Sequence, residues 1–319
     1  MSSSANEKLR IFLSLMTSDN DYQREQALTA EEAARTREID LEIAYASGDA
    51  VEQSQQIIQA IQRSKSSRPD AIVVEPVGTA MPQVARAAAS AGVGWVVLNR
   101  DADYLFQLHG CSQSPVCAVT CDNSEVGVIQ AKQLEELLEN GGAVLYIEGP
   151  SSSEAAQQRK AGVVQTLSSR IELKCIRAAW TEATAHACVS SWLKLSTSRS
   201  LHVVAVGCQN DAMAMGARRA FSEVLDANQR KEWLRMPFTG CDGVPCTGQT
   251  LVRKGLLTCT IIIPPITGPA LEIISKALRT GAKPPAHTSI RPESFPPLGQ
   301  LAGRWHRQRA NLVENGTAE

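Results

Sequence analysis

Polar and aromatic side chains follow several short apolar runs in this 319-residue chain. Amide, guanidinium and carboxylate groups can each bridge two neighbouring hydroxyls, because a hydroxyl both donates and accepts hydrogen bonds. Aromatic rings can cover the flat C–H face of a pyranose or furanose. The residues of this candidate set are Asn20, Tyr22, Arg100, Arg159, Trp180, Asn210 and Asp242. A buried polar group without a partner costs about 1–3 kcal/mol, so such a set would discriminate between the stereoisomers of a sugar or polyol.

The apolar runs themselves have the composition of buried parallel strands. About ten of them, from 9–15 to 257–262, are short, rich in β-branched residues and bounded by turn residues. Amphipathic stretches such as 21–38 and 211–224 separate them and have helical spacing. This alternation predicts an α/β fold of doubly wound parallel sheets, and the strand count favours two lobes of about five strands each. Ligands of such folds bind outside the carboxyl ends of the strands, where the candidate set lies.

Each member of the candidate set also has a purely structural interpretation. The two asparagines could cap helices, and the two arginines could form surface ion pairs. The two aromatic side chains could be packing residues, and the aspartate with the glycine after it could form a turn. The binding hypothesis therefore depends on the joint position of these residues at strand ends.

The charge balance and the hydropathy exclude several classes of partner. Lys and Arg total 32 and Asp and Glu total 33, a net charge of −1, so we expect neither nucleic acid nor an anionic membrane surface as a partner. No apolar stretch reaches the roughly 18 residues that span a bilayer, so we expect no membrane insertion. Residues 1–15 lack the features of a signal peptide, so the chain is expected to be cytoplasmic if Met1 is its native start. The nine scattered cysteines favour reduced thiols over a disulfide framework.

Catalytic, cofactor and metal sites are not predicted. His109, Cys111, Cys117 and Cys121 are close in sequence but lack paired zinc-ligand spacing, so we expect ordinary loop and core residues. No GxGxxG follows the first apolar run, and no Ser/His/Asp arrangement is recognisable. We therefore expect a binding protein without a cofactor, not an enzyme. The basic segment at 304–309 is expected to belong to a solvated tail.

The order of these segments resembles the type I periplasmic binding proteins. The resemblance is to their ribose-binding-protein-like branch, which shares its fold with the effector domains of lac-repressor-type regulators. It covers nearly all of residues 8–298. Its most specific segment is 209–217, Gln-Asn-Asp-Ala-Met-Ala-Met-Gly-Ala. The other matching segments are 17–22, 96–100, 122–127, 158–162, 179–180 and 240–243.

The resemblance implies a monosaccharide or polyol bound by hinge closure of two lobes. The first lobe would comprise 8–121 and 263–286, the second 122–262 and a returning strand at 287–298, with 299–319 as a tail. Such a protein supplies a sugar ABC transporter permease or reports to a receptor, is periplasmic, and is expected to be a monomer. The alternative is a cytosolic sugar sensor that acts on a signalling partner, without a DNA-binding domain of its own.

The resemblance also implies a role for each candidate residue. The asparagines, the arginines and Asp242 would bind sugar hydroxyls, and Tyr22 and Trp180 would stack on the ring. The chain departs from the family where Asn99 replaces a frequent Asp and Ile263 replaces a polar residue. A third departure lies after the first strand, where many relatives carry proline and two aromatic residues. The further candidates at or near these positions are Asp19, Gln23, Asn99 and Ile263.

Overall fold

The computed structural model describes residues 8–78, 81–100, 102–196, 198 and 201–314. The chain divides into two compact units. The first contains the chain up to Cys121 together with Pro265–Ile290, and the second contains Asp122–Pro264 and the chain from Arg291 onward. Each unit has its own parallel sheet with helices around it, so the predicted α/β class with two lobes is confirmed.

The elements follow the chain in an alternating order. The first unit begins with β1 Leu9–Leu15, α1 Asp21–Thr36, β2 Ile39–Tyr45, α2 Ala50–Gln62, β3 Ala71–Val74, α3 Met81–Ser90, β4 Gly94–Leu98, α4 Asp103–Cys111 and β5 Val116–Cys121. The second unit then contains α5 Asn123–Leu137, β6 Gly142–Glu148, α6 Glu154–Thr166, β7 Ile171–Arg177, α7 Glu182–Leu193, β8 Val203–Cys208, α8 Asp211–Ser222, α9 Ala227–Leu234, β9 Phe238–Thr239, α10 Gly248–Arg253 and β10 Thr260–Ile262. The chain returns to the first unit with α11 Thr267–Thr280 and β11 His287–Ile290, and ends in the second with β12 Glu293–Phe295 and α12 Leu301–Glu314.

The sheet of the first unit has six strands in the order β11-β5-β4-β3-β1-β2, all parallel. Successive side chains of a strand point to opposite faces, so this sheet builds two cores. Ile11 and Leu13 of β1 pack with Ile274 of α11 on one face. Phe12 of the same strand packs with Ile57 of α2 on the other face. Burial on both faces explains why these strands read as continuous apolar runs.

The sheet of the second unit has four parallel strands in the order β7-β6-β8-β9. Isolated bridges join Thr239 to Cys259 and Asp242 to Ile262, and so place β10 beside β9. One face is covered by α7 and α8, where Phe221 stacks on the indole of Trp233 with ring centroids 4.6 Å apart. Strand β10 also pairs antiparallel with β12.

The returning segment corrects one prediction. We expected residues 287–298 to form one strand of the second lobe. Instead β11 pairs with β5 in the first unit, with His287 opposite Ala118, and β12 pairs with β10 in the second. The chain passes between the units at Ile290–Arg291, so the segment divides into two short strands.

The C-terminal segment corrects a second prediction. We expected 299–319 to be a solvated tail, but α12 is a helix in the described part of this segment. Its Leu301 and Trp305 are buried in one cluster with Leu134 of α5 and Val144 of β6. Leu301 and Trp305 are four residues apart and lie on the same face of α12, which therefore packs as an amphipathic helix. Residues 315–319 of the predicted tail lie outside the described residues.

Candidate ligand-binding site

The β1–α1 connection carries the first candidates, and the structure gives Asn20 a capping role. Asn20 is exposed and is the N-cap of α1, where its Oδ1 accepts from the main-chain N–H of Gln23 at 2.8 Å. Asp19 is also exposed, and its main-chain N–H donates to Thr17 Oγ1 at 3.1 Å. Tyr22 lies half-buried in the first turn of α1. The helix start thus fixes all three backbones at the carboxyl end of β1.

A buried carboxylate that sequence reasoning missed lies at the carboxyl end of β3. Glu75 follows that strand, is 6% exposed, and accepts from Gln23 Nε2 at 2.7 Å and from Asn99 Nδ2 at 2.9 Å. Burial raises the pKa of Glu75, and the two amide hydrogen bonds oppose that rise. Gln23 is itself fixed, because its Oε1 accepts from the main-chain N–H of Met16 at 3.2 Å. Gln23 and Asn99, two of the predicted residues, therefore meet at Glu75.

Asn99 and Arg100 follow β4, and their side chains contact different partners. Asn99 has a left-handed backbone with φ of 54°, a conformation that asparagine tolerates better than most residues. Arg100 is half-buried, and its Nη1 donates to the main-chain carbonyl of Gly78 at 3.0 Å. Arg100 thus lies against the loop after β3, one residue from the pair formed by Asn99 and Glu75.

In the second unit, a close helix crossing positions Arg159. A Cβ atom built at Gly127 of α5 would lie 2.1 Å from the carbonyl oxygen of Arg159, and one at Gly162 of α6 would lie 2.2 Å from that of Ser124. Only glycine allows backbones to approach this closely. The crossing brings the first turn of α5, with Asn123, beside the Arg159 side chain.

Arg159 is buried, and its contacts include two hydrogen bonds and an aromatic ring. Its Nε donates to Asn123 Oδ1 at 2.9 Å, and its Nη1 donates to the main-chain carbonyl of Gln209 at 2.6 Å. Its guanidinium carbon lies 5.6 Å from the ring centroid of Trp180, within cation–π range. The side chain of Arg159 is 8% exposed, so the interpretation as a surface residue is wrong.

Trp180 follows β7 in a strained conformation. Its φ of 65° is left-handed, which is unusual for a bulky side chain. The ring lies directly against the backbone after β6, where a Cβ at Gly149 would lie 2.3 Å from Trp180 Cζ2. The main-chain carbonyl of Trp180 accepts from Asn210 Nδ2 at 2.9 Å. Trp180 is thus held from three sides: by Gly149, by Asn210 and by the guanidinium of Arg159.

Asn210 follows β8 and caps α8, as its structural interpretation predicts. Its Oδ1 accepts from the Met213 N–H at 2.8 Å. The next residue, Asp211, is buried, and it accepts from Thr260 Oγ1 at 2.7 Å and from the Gly243 N–H at 2.9 Å. Burial, together with the charge of Asp242, raises the pKa of Asp211 well above its usual range.

Asp242 and Ile263 are linked through the backbone. Asp242 is half-buried with φ of 102°, and its carbonyl accepts from the Ile263 N–H at 3.1 Å. Ile263 is 3% exposed, so its side chain belongs to the core. Asp211 accepts from the main-chain N–H of Gly243, the residue after Asp242. The buried side chain of Asp211 therefore fixes the turn that carries Asp242.

Backbone strain is concentrated at strand ends. Among the described residues, five positions other than glycine have a positive φ, and Asn99, Trp180 and Asp242 are three of them. Such conformations cost about 1–3 kcal/mol and persist where the surroundings impose them, often at ligand sites. All three positions belong to the candidates named from the sequence.

A separate groove lies in the second unit at the amino ends of the strands. Its volume is about 740 Å³, and its lining includes Gly141 before β6, His202 before β8 and Trp305 of α12. The candidate residues of this unit lie at the opposite, carboxyl ends of the same strands, and none of those described lines the groove.

Metal-binding clusters and membrane-spanning helices are both absent from the part of the chain that the structure describes. In the described ranges, no three His, Cys, Asp or Glu side chains are grouped so that they could hold a metal ion. His109 binds the carbonyl of Val116 through Nδ1 at 2.6 Å, and Cys117 and Cys121 are buried in β5. No helix within those ranges has the length and apolar character needed to cross a bilayer.

Two curated relatives align with the chain. It is 29% identical over 197 residues to a Rhizobium meliloti protein described as rhizopine-binding, with 60% of each chain covered. It is 28% identical over 169 residues to the D-allose-binding periplasmic protein of Escherichia coli, with 51% of each chain covered. The aligned parts thus span only 60% and 51% of these relatives' lengths.

Solved structures match the fold over nearly the whole chain. A periplasmic solute binding protein of an ABC transporter from Actinobacillus succinogenes, with bound D-allose, has a TM-score of 0.77 at 24% identity, covering 90% of this chain and 97% of that one. The Caulobacter myo-inositol binding protein has a TM-score of 0.75 at 18% identity, covering 94% and 96%. The family profile of the periplasmic binding protein domain matches residues 11–267, as the resemblance predicts. The chain therefore belongs to the periplasmic binding protein domain family.

Proposed function

We propose that this protein binds a monosaccharide or polyol by closure of its two units, without chemically changing it. One observation carries the proposal. At the carboxyl ends of the strands in each unit, hydrogen bonds within the chain hold amide, guanidinium and carboxylate groups in fixed orientations. Fixed groups of this kind lose little conformational entropy on binding, so most of the interaction energy contributes to affinity.

The side chains of the first unit suit a hydroxyl-rich ligand. Asn99 and Arg100 follow β4 and carry hydrogen-bonding groups, and Tyr22 follows β1, two strands away along the same sheet. A carboxamide and a guanidinium together offer both donors and acceptors, which is what neighbouring hydroxyls need. In this proposal Asn20 contributes less than expected from the sequence, since its Oδ1 is occupied by the helix start.

The second unit contributes the aromatic surface and a carboxylate. Trp180 is half-buried and rigidly held, as a stacking residue for a sugar ring should be. Asp242 is a half-buried carboxylate of this unit, and it lies on a turn fixed by Asp211. Arg159 adds positive charge behind the indole. We assign Trp180 to ring stacking and Asp242 to hydroxyl binding.

The relatives support the ligand class. Their names include D-allose and myo-inositol, which are both polyhydroxylated rings. Names that include an ABC transporter and the periplasm support delivery of the ligand to a membrane permease in that compartment. Binding energy gained only when both units contact the ligand would shift an open–closed equilibrium toward the closed form.

A thermal-shift screen against pentoses, hexoses and cyclitols tests the proposal. A ligand that binds only the folded state raises the melting temperature in proportion to the logarithm of its concentration. We expect one or more of these compounds to raise it, and a matched set of amino acids to leave it unchanged. No response to any sugar or cyclitol, with a response to a compound of another class, would refute the proposed ligand class.

A further inference from the structure

We propose that Glu75 sets the orientation of the Asn99 carboxamide, so that Asn99 Oδ1 is presented to the ligand as a hydrogen-bond acceptor. Glu75 is thus a positioning residue, and Asn99 is the residue that touches the ligand. The inference rests on the proposed sugar-binding function, and it identifies a determinant of which hydroxyl arrangement is accepted.

The contacts around Glu75 define the orientation. Asn99 Nδ2 lies 2.9 Å from Glu75 Oε1, and Gln23 Nε2 lies 2.7 Å from Glu75 Oε2. Each oxygen of the carboxylate therefore accepts from one amide. The Gln23 carboxamide cannot rotate by 180° without losing a hydrogen bond, because its Oε1 accepts from the Met16 N–H at 3.2 Å. The orientation of both amides follows from this single carboxylate.

The other end of the Asn99 amide is available. Asn99 is half-buried at the carboxyl end of β4, and its Oδ1 accepts no hydrogen bond from any residue in the described ranges. A carboxylate accepts but does not donate, so Asn99 must turn its NH₂ toward Glu75 and its oxygen away. A ligand hydroxyl can then donate to Oδ1.

This arrangement has a chemical consequence for specificity. The frequent family residue at this position is aspartate, which accepts at two oxygens and brings a negative charge. Here the carboxyl group lies one strand away, buried on Glu75, and position 99 offers one neutral acceptor. The pair therefore favours a single donating hydroxyl at this point in place of two.

The test exchanges the donors and acceptors in steps. In Glu75→Gln, the new carboxamide keeps its oxygen toward the fixed Gln23 and turns its NH₂ toward Asn99. Asn99 must then either face that NH₂ with its own or turn over and present its NH₂ to the ligand in place of Oδ1. In Asn99→Asp, two carboxylates meet. In the double variant, residue 75 accepts from Gln23 and donates to the new carboxylate at position 99, so every polar atom is paired again. Affinities for D-allose and myo-inositol are measured by calorimetry, with the exposed Glu31→Gln as the matched control.

We expect each single variant to weaken binding by about tenfold or more, the size expected when one polar contact loses its partner. We expect the double variant to recover to within about threefold of the unmutated protein. Asn99→Gly keeps the left-handed backbone and removes the amide, so it should weaken binding as much as Glu75→Gln even if the latter folds poorly. Unmutated affinity in Glu75→Gln or in Asn99→Gly would overturn the inference.

A ligand-free measurement separates this inference from the proposed function. The side-chain ¹⁵N–¹H signals of Asn99 report its hydrogen bond to Glu75 directly. We expect them to move in Glu75→Gln and to stay in place in Glu31→Gln. If the unmutated protein bound neither sugar, the proposed function would fail for these ligands. Independently of that result, Asn99 signals that do not move in Glu75→Gln would refute the orientation of Asn99 by Glu75.

Discussion

Asn210 donates its side-chain amide to the main-chain carbonyl of Trp180 at 2.9 Å, while its Oδ1 caps α8 by accepting from the Met213 N–H at 2.8 Å. One side chain therefore both begins a helix and holds the left-handed backbone of the candidate stacking residue. The two roles use different atoms, so substitutions can separate them.

Asn210→Ser should keep the cap and lose the contact with Trp180, because serine is a good N-cap residue but has no amide. We expect a nearly unchanged melting temperature with sugar affinity weakened by about fivefold, the equivalent of about 1 kcal/mol. Asn210→Ala should lose both roles, with a further loss of about 1 kcal/mol of stability from the missing cap. Calorimetric titration and urea unfolding of both variants measure this. Equal affinities in Asn210→Ser and the unmutated protein would show that Asn210 does not position Trp180.

Gly149→Ala should displace the Trp180 ring. The added Cβ would lie 2.3 Å from Trp180 Cζ2, a distance that requires the ring to move. We expect a changed tryptophan fluorescence spectrum and a sugar affinity reduced by about tenfold or more, since stacking depends on ring position. Gly110→Ala is the matched control, because a Cβ there meets no atom within 4 Å. Unchanged fluorescence and affinity in Gly149→Ala would contradict the assigned stacking role.

Arg159→Lys should weaken both folding and binding although the charge is kept. A lysine ammonium cannot reproduce the planar pair of contacts to Asn123 and to the Gln209 carbonyl. Leaving a buried acceptor unpaired costs about 1–3 kcal/mol, and we expect a loss of stability in that range. Arg170→Lys, at an exposed ion pair with Glu135, should cost about 0.5 kcal/mol or less. Comparable unfolding free energies for the two variants would contradict the structural role of Arg159.

Asp211 gives the stability a predictable pH dependence. Burial, and then the charge of Asp242, raises the pKa of Asp211 in the folded state above its ordinary value of 3.8. The folded state keeps a proton that the unfolded state releases, so this group makes the unfolding free energy fall as pH rises above 3.8 toward the folded pKa.

Asp211→Asn removes this titration while its carboxamide can still accept from Gly243 and donate to Thr260 Oγ1. The unfolding free energy of the unmutated protein minus that of the variant should therefore decline as the pH is raised, in urea unfolding from pH 4 to 8. A difference that stays constant or rises with pH would contradict a raised pKa for Asp211.

The alternation of apolar runs and amphipathic stretches predicted much of the fold. The predicted strand at 9–15 agrees with β1, Leu9–Leu15, and the predicted helix at 211–224 ends only two residues beyond α8, Asp211–Ser222. The helices that escaped prediction include α9, which has eight residues, and α12, which lies in a segment expected to be a solvated tail. In α9 only Trp233 is buried, and in α12 the burial of Leu301 and Trp305 depends on packing against α5. Such burial comes from tertiary contacts that the local pattern does not specify.

The candidate site was predictable in residue type but not in partners. Sequence position identified Asn99, Trp180 and Asp242 as strand-end residues, and each has the left-handed backbone of a constrained site. Glu75 escaped notice because its partners Gln23 and Asn99 lie 52 and 24 residues away along the chain. A carboxylate directly after a buried strand was the available signal.

Calorimetric titration of the sugar with the largest thermal shift, against the unmutated protein, Arg100→Ala and Asp242→Ala, tests the central claim most directly. Arg100 belongs to the first unit and Asp242 to the second. We predict one sugar bound per chain, and affinity lost or weakened by about tenfold or more in each variant, since both units contact the same ligand. Full affinity in either variant would contradict binding of one sugar by both units.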